Sequence, residues 1–161
     1  MASTISAATL KVTITEDITL NGSNQGATNT VSISSVNEVY KRIVTCPANV
    51  DTTIATFQTG VNTADNAIDL EDVRYLRLTN LDDTNNIDIS LQTALAEGGT
   101  ANASASILIE PGKSFMMGSV HDGISVDDDA ATIVTALNDL ESILMNPGTN
   151  AVDVEIFVAS V

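Results

Sequence analysis

Few side chains in this sequence have the type and spacing to do chemistry, and their neighbours decide what each can do. His121 is the single histidine and sits in the run His121-Asp122-Gly123. Serines and aspartates abound, so a Ser-His-Asp relay stays open on counting alone. The chain lacks the Gly-x-Ser-x-Gly elbow that would hold a nucleophilic serine on a strained turn. We read His121 as a surface residue of a polar turn, with no catalytic role. Two acidic runs, Asp82-Asp83-Thr84-Asn85-Asn86 and Asp127-Asp128-Asp129, offer the hard oxygen ligands that calcium takes. Neither spaces its acids at alternating positions of a twelve-residue loop around a central glycine, and both read as solvated turns. One cysteine and one histidine are too few for zinc. Gly112-Lys113-Ser114 ends like a phosphate loop, but position 107, where such a loop needs glycine, is Ile. The segment also joins strand to strand rather than strand to helix. Carboxylate pairs fit for glycoside hydrolysis cannot be singled out among so many acids, and aromatic sugar platforms are scarce. The reading is therefore not an enzyme, with no catalytic, cofactor-binding or metal-binding residue expected.

The composition narrows the classes further. The 161 residues suit one domain. Aromatics are 3% and Trp is absent, so Val, Ile, Leu and Ala must build the core, and with many Thr and Ser they favour strands. The net charge of −15 repels a phosphate backbone and an anionic membrane surface, which argues against nucleic-acid and membrane partners. It suits solubility, or a partner with a basic patch. No run of about 20 apolar residues is present to cross a membrane as a helix. The start, Met-Ala-Ser-Thr-Ile-Ser, lacks the basic and apolar parts of a signal peptide, so synthesis in the cytoplasm is expected. Cys46, with Val44 and Pro47 close by, reads as a small buried hydrophobe rather than a reactive thiol.

The elements that must carry these residues follow from alternation, because side chains on a strand change face at every residue. Residues 1–8 are small and polar and read as an N-terminal arm, followed by a domain over 9–161. Leu10, Val12 and Ile14 mark a strand. Asn21-Gly22 marks a turn, with a loop longer than two residues expected. Val31 and Ile33 mark a second strand. Val39 to Cys46 is a third, with Tyr40, Val44 and Cys46 inward and Lys41-Arg42 solvated or salt-bridged. Thr52 to Gln58 is a fourth, and 60–69 is a loop. The stretch from Val73 to Phe115 is the clearest. Leu76 and Leu78 alternate with polar residues, as do Ile87, Ile89 and Leu91, and the turn-rich run between them predicts a hairpin. Ser104 to Ile109 is a strand. Pro111-Gly112 fits a type II turn whose twist suits a corner into another sheet better than a tight hairpin. Ser114 to Met117 extends again, with Phe115 and Met117 on one face. Ile124 and Val126 form a short extended piece. Val134, Leu137, Leu140 and Leu144 recur three to four apart, which predicts a short helix near 129–138 and a strand near 141–146. Val152, Val154, Ile156 and Val158 mark the last strand. Eight to ten short strands with turn residues between them predict an all-β, single-domain β-sandwich of jelly-roll type. Leu76, Leu78, Ile89, Val154 and Ile156 should share its core.

Three runs carry a resemblance: Tyr75-Leu76-Arg77-Leu78-Thr79-Asn80-Leu81-Asp82-Asp83-Thr84-Asn85, Ile107-Leu108-Ile109-Glu110-Pro111-Gly112-Lys113-Ser114-Phe115, and Val152-Asp153-Val154-Glu155-Ile156-Phe157-Val158-Ala159-Ser160. Together they resemble small virion structural proteins of tailed bacteriophages of the marine phage and cyanophage type. The resemblance implies a β-sandwich that decorates or cements a capsid, found in the virion after synthesis in the host. It implies copies of itself and the major capsid protein or other virion proteins as partners, and brings no catalytic residue or cofactor. A neck or tail component is the nearest alternative, and a host-receptor or glycan-binding module is a more distant one. The arm at 1–8 is the first candidate for the contact.

Overall fold

The computed structural model describes residues 6–58, 67–93, 104–118, 125–126 and 138–161, with the backbone alone for 125–126 and Asn138. The order is β1 (Ala8–Thr15), β2 (Thr19–Leu20), β3 (Ser23–Asn24), β4 (Thr28–Val36), β5 (Glu38–Cys46), β6 (Thr52–Gln58), β7 (Ile68–Asp69), a single 3-10 turn (Leu70–Asp72), β8 (Val73–Asn80), β9 (Ile87–Thr93), β10 (Ser104–Ile109), β11 (Ser114–Met117), β12 (Ser125–Val126), β13 (Asn138–Asn146) and β14 (Val152–Ser160).

Eight of these strands form two facing sheets. One runs β5-β14-β8-β11 and the other β6-β13-β9-β10, with β7 parallel to β6 at its edge and β12 also paired to β13. Counting the eight in chain order, the sheets read 1-8-3-6 and 2-7-4-5, which is the strand order of a jelly roll. The fold is therefore the expected all-β sandwich.

The core is aliphatic, as the shortage of aromatics requires. Leu76, Leu78, Val154 and Ile156 of one sheet meet Ile87, Ile89 and Ile143 of the other, all at most 1% exposed and in one cluster. The five core residues named from the sequence all lie in it. Tyr40 and Val44 pack against the same cluster and Cys46 is buried within it, so β5 faces inward as its pattern suggested.

Three expectations fail on connectivity. The run from Val73 to Gln92 is not a hairpin, because β8 and β9 lie in different sheets. Alternation shows that each strand has one buried face, but two strands of one hairpin and two strands in facing sheets bury the same residues. The hairpin of this stretch is β9 with β10, in the register Ile89↔Ile107. The loop after Asn21-Gly22 is also shorter than expected. Asn21 (φ 51) and Gly22 (φ 79) form a two-residue turn between β2 and β3, in the positive-φ pair that suits strand twist. The three-to-four pattern does not carry on into the strand, where Leu144 is only partly buried. The register of β13 shifts between Leu140 and Ser142, so Leu140, Ile143 and Met145 all point inward. Asn138 already belongs to β13. The rest of the expected helix, 129–137, lies outside the described residues, as do His121, Ile124 and Asp127-Asp128-Asp129.

Two of the crossings between sheets, 81–86 and 110–113, lie side by side. Asn80 is fully buried there and its side chain serves both. Its Nδ2 donates to the Asn85 carbonyl at 2.8 Å and the Ile109 carbonyl at 3.2 Å, while its Oδ1 accepts from the Asp82 N–H at 2.9 Å. The second crossing is the expected type II corner, with Gly112 at φ 67 and the Lys113 N–H bonded to the Glu110 carbonyl at 3.1 Å. Removing this amide leaves two carbonyls and an N–H without partners. Asn80→Ala should cost at least about 2 kcal/mol by urea denaturation, most of it from the stranded groups. Leu78→Ala, by contrast, opens a cavity at the sheet interface and should cost about 2–5 kcal/mol in the same assay.

Candidate assembly surface

Strands β1 and β4 join neither sheet. They pair with each other, Leu10↔Ile33 and Val12↔Val31, as a two-stranded ribbon that ends in the β2–β3 tip. Period two gives the ribbon two unlike faces. Lys11, Thr13, Thr30 and Ser32 form the polar one, where the Thr13 and Thr30 hydroxyls meet at 3.1 Å. Leu10, Val12, Ile14, Val31 and Ile33 form the apolar one. The tip folds tightly because residue 26 is glycine. A Cβ there would overlap the Glu16 carbonyl, and the Gly26 N–H bonds to Asn24 Oδ1 at 2.7 Å.

The apolar face lies on the outside of the β5-β14-β8-β11 sheet. At the ribbon's root Ile33 and Val36 are buried against Ala159, with Leu10, Tyr75, Phe157 and Val161 around them. Tyr75 and Phe157 pack edge to face at 6.0 Å. Farther along, Val12, Ile14 and Val31 overhang Arg74, Tyr75 and Met116 across an open, largely apolar cleft of about 170 Å³. Beyond that, every residue from Thr13 to Gln25 is exposed. Ile14, Ile18 and Leu20 keep 48%, 52% and 59% of their surface in water.

The sheet beneath is where the cations gather. All six basic residues lie on the ribbon (Lys11), β5 (Lys41, Arg42), β8 (Arg74, Arg77) or the crossing into β11 (Lys113). Lys41 reaches Glu155 at 3.1 Å, and Arg77 binds the other oxygen of the same carboxylate. The Lys41 ammonium, and secondarily the Arg77 guanidinium, hold the Glu155 carboxyl below its ordinary range. Lys41 is thus the salt-bridged half of the cation pair and Arg42 the solvated half. The opposite sheet carries no basic residue. Its depression mixes Asp51, Asp88, Ser90 and Ser106 with Leu144 and Met145, and Asp51 accepts from Asn146 Nδ2 at 2.7 Å.

The residues weighed for chemistry on sequence grounds scatter. Cys46 is fully buried, and burial followed by the Asp153 charge pushes its thiol up, so it is a poor nucleophile. Lys113 ends a sheet crossing and Ser114 begins β11. The Asp82 carboxylate turns inward on its own loop, where Oδ1 accepts from the Asn85 N–H at 2.6 Å, the Thr84 N–H at 2.8 Å and Asn85 Nδ2 at 3.1 Å. Among the described residues no group of three or more His, Cys, Asp or Glu side chains is placed to hold a metal. The exposed aliphatics of the ribbon were not singled out from the sequence. Ile18-Thr19-Leu20 against Asn21-Gly22 was the available signal, since apolar residues flanking so short a turn have little of their own chain to pack on. Comparison with protein-family models, with curated proteins and with solved structures finds no match to the chain.

The Asp82 bonds set a pH dependence. Backbone N–H groups of Asn85 and then Thr84 lower its pKa, so the folded state holds the charged form more firmly than the unfolded chain does. That stabilisation is present above the ordinary carboxylate value of about 3.9 and is lost as pH falls through the lower folded-state value. Stability of the wild type should therefore fall with acid below about pH 4, and Asp82→Ala should show a shallower fall in that window by denaturant titration.

Proposed function

We propose that the chain is a virion structural protein, a capsid decoration or cement protein of a tailed bacteriophage, which works by protein–protein contact in the assembled particle. The observation that carries this reading is the ribbon. A two-stranded ribbon is at best marginally stable in water on its own. This one nonetheless runs past its jelly-roll body with Ile14, Ile18 and Leu20 about half exposed. Fully burying such a side chain stabilises by about 1.5–3 kcal/mol, so covering the exposed half of all three gains several kcal/mol from a neighbour that fits. The phage-like runs in β8, the β10–β11 crossing and β14 supply the kind of neighbour, and they form the body that presents the ribbon. The basic sheet and acidic opposite face suit a protein packed between unlike surfaces.

The test is co-sedimentation with particles of the phage that encodes the chain. The full chain should bind them. A variant with residues 16–27 replaced by an Asn-Gly turn should keep its circular dichroism and melting curve yet bind at least about tenfold more weakly. Equal binding by both would remove the ribbon from the contact, and no binding by either would overturn the reading. Cryo-electron microscopy of the bound particle should then show the protein on the head, whereas density at the neck or tail would assign it there.

A further inference from the structure

We propose that the ribbon tip of one copy seats on the outer face of β5 in a second copy, so that subunits join head to tail. The proposal rests on the assembly role above and identifies one of its contacts.

The path of the ribbon comes first. Val36 is followed within two residues by β5. From there the ribbon packs on Ala159 of β14, then on Tyr75 of β8, and then beside Met116 and Gly118 at β11. In the sheet order β5-β14-β8-β11 this is a traverse from one edge to the other. The tip thus lies past the β11 edge, while β5 forms the opposite edge. A copy set beside the β11 edge presents its own β5 to the tip.

The two surfaces match in apolar content. The tip offers Ile18 and Leu20. On β5, Val39 and Ile43 point outward, with 54% and 58% of their surface exposed, on either side of Lys41. Edge strands with exposed aliphatics need covering, and a neighbour supplies the cover.

They also match in charge. Glu16 and Asp17 stand at the start of the tip and make no side-chain bond or ion pair among the described residues. On the outer face of β5 the cation is Lys41, which keeps 57% of its side chain exposed while holding Glu155; Arg42, opposite the buried Ile156, points to the other face. The carboxylates nearest the patch are largely occupied, Glu155 by Lys41 and Arg77 and Asp153 by the Thr45 hydroxyl at 2.6 Å, which leaves Glu38 at the start of β5. In a chain of net charge −15, an acidic tip is repelled by most of a second copy, and Lys41 sets a cation between the exposed Val39 and Ile43 of β5. Tip and patch are different surfaces, so each copy carries one of each, and successive contacts close a ring or extend a row.

Analytical ultracentrifugation over a dilution series up to about 1 mM tests this, a range that detects even weak contacts. The wild type should rise above monomer mass with concentration. Ile18→Asp with Leu20→Asp disables the tip, and Val39→Asp with Ile43→Asp disables the patch; every position is exposed, and circular dichroism checks that both variants fold. Each variant alone should stay monomeric. Mixed in equal amounts they should form a dimer and nothing larger, since one intact tip meets one intact patch. A monomeric wild type at the top concentration, a variant that assembles like wild type, or a mixture without dimer would each overturn the proposal. Wild type that binds phage particles yet stays monomeric would overturn this contact and leave the decoration reading standing. Wild type that self-associates through the tip but ignores particles would do the reverse.

Discussion

The buried amide of Asn80 is the constraint on which the sandwich turns. A jelly roll folds the chain back and forth between two sheets, and every crossing must find partners for its backbone groups at a corner with little water. Here one side chain bonds carbonyls from both crossings, at Asn85 and Ile109, and accepts from the Asp82 N–H. Its own N–H bonds to the Lys113 carbonyl, and the Gly112 N–H to the Asp82 carbonyl. The next crossings are stitched to the same end, with Asn150 Nδ2 on Asn85 Oδ1 and the Asn49 N–H on the Gly148 carbonyl. Asparagine recurs because it both donates and accepts on a short side chain and tolerates left-handed backbone, as Asn49 does at φ 56.

The sequence carried the strands well and their partners poorly. Alternation located β8, β9, β10, β11 and β14, while β5, whose alternation is ambiguous, and β6, which buries both Ile54 and Ala55, were placed by their apolar and β-branched residues. It gave no partner for any of them, since pairing within a sheet and facing across the core bury the same side chains. That is why β8 and β9 look like a hairpin, and why β1 and β4 look like ordinary sandwich strands. The strand at 141–146 was legible, although it begins earlier, at Asn138. The corner at Pro111-Gly112 was legible, because turn type depends on local backbone preference and not on distant contacts. The candidate surface was the least legible part. An aliphatic residue that waits for a neighbour has the same signature in sequence as one that fills a core.

Charge divides the molecule as clearly as topology does. The basic residues occupy the ribbon, the sheet beneath it and one adjoining crossing, while the strands of the far sheet carry acids, hydroxyls, amides and the exposed Leu108 but no cation. Solubility by itself would be served by any arrangement of a net −15. Segregation by face gives the body an orientation in the field of a neighbour, which random placement does not. The Glu155 carboxylate, held by Lys41 and Arg77, keeps that basic face from being merely repulsive to its own surroundings.

The placing of β14 between β5 and β8 also sets a timetable for synthesis. Cys46 must wait for Val152, and Asn80 for Val154, before the sheet beneath the ribbon has its middle strand. A nascent chain therefore carries β5 and β8 with open edges through the translation of most of the domain, and such long-range pairings close slowly. The ribbon, whose strands are near neighbours in sequence, can form much sooner but has no floor to rest on until β14 brings Phe157 and Ala159. On the proposed head-to-tail contact, a chain still lacking β14 displays an apolar ribbon without a finished patch to receive another, so joining would follow completion of this sheet.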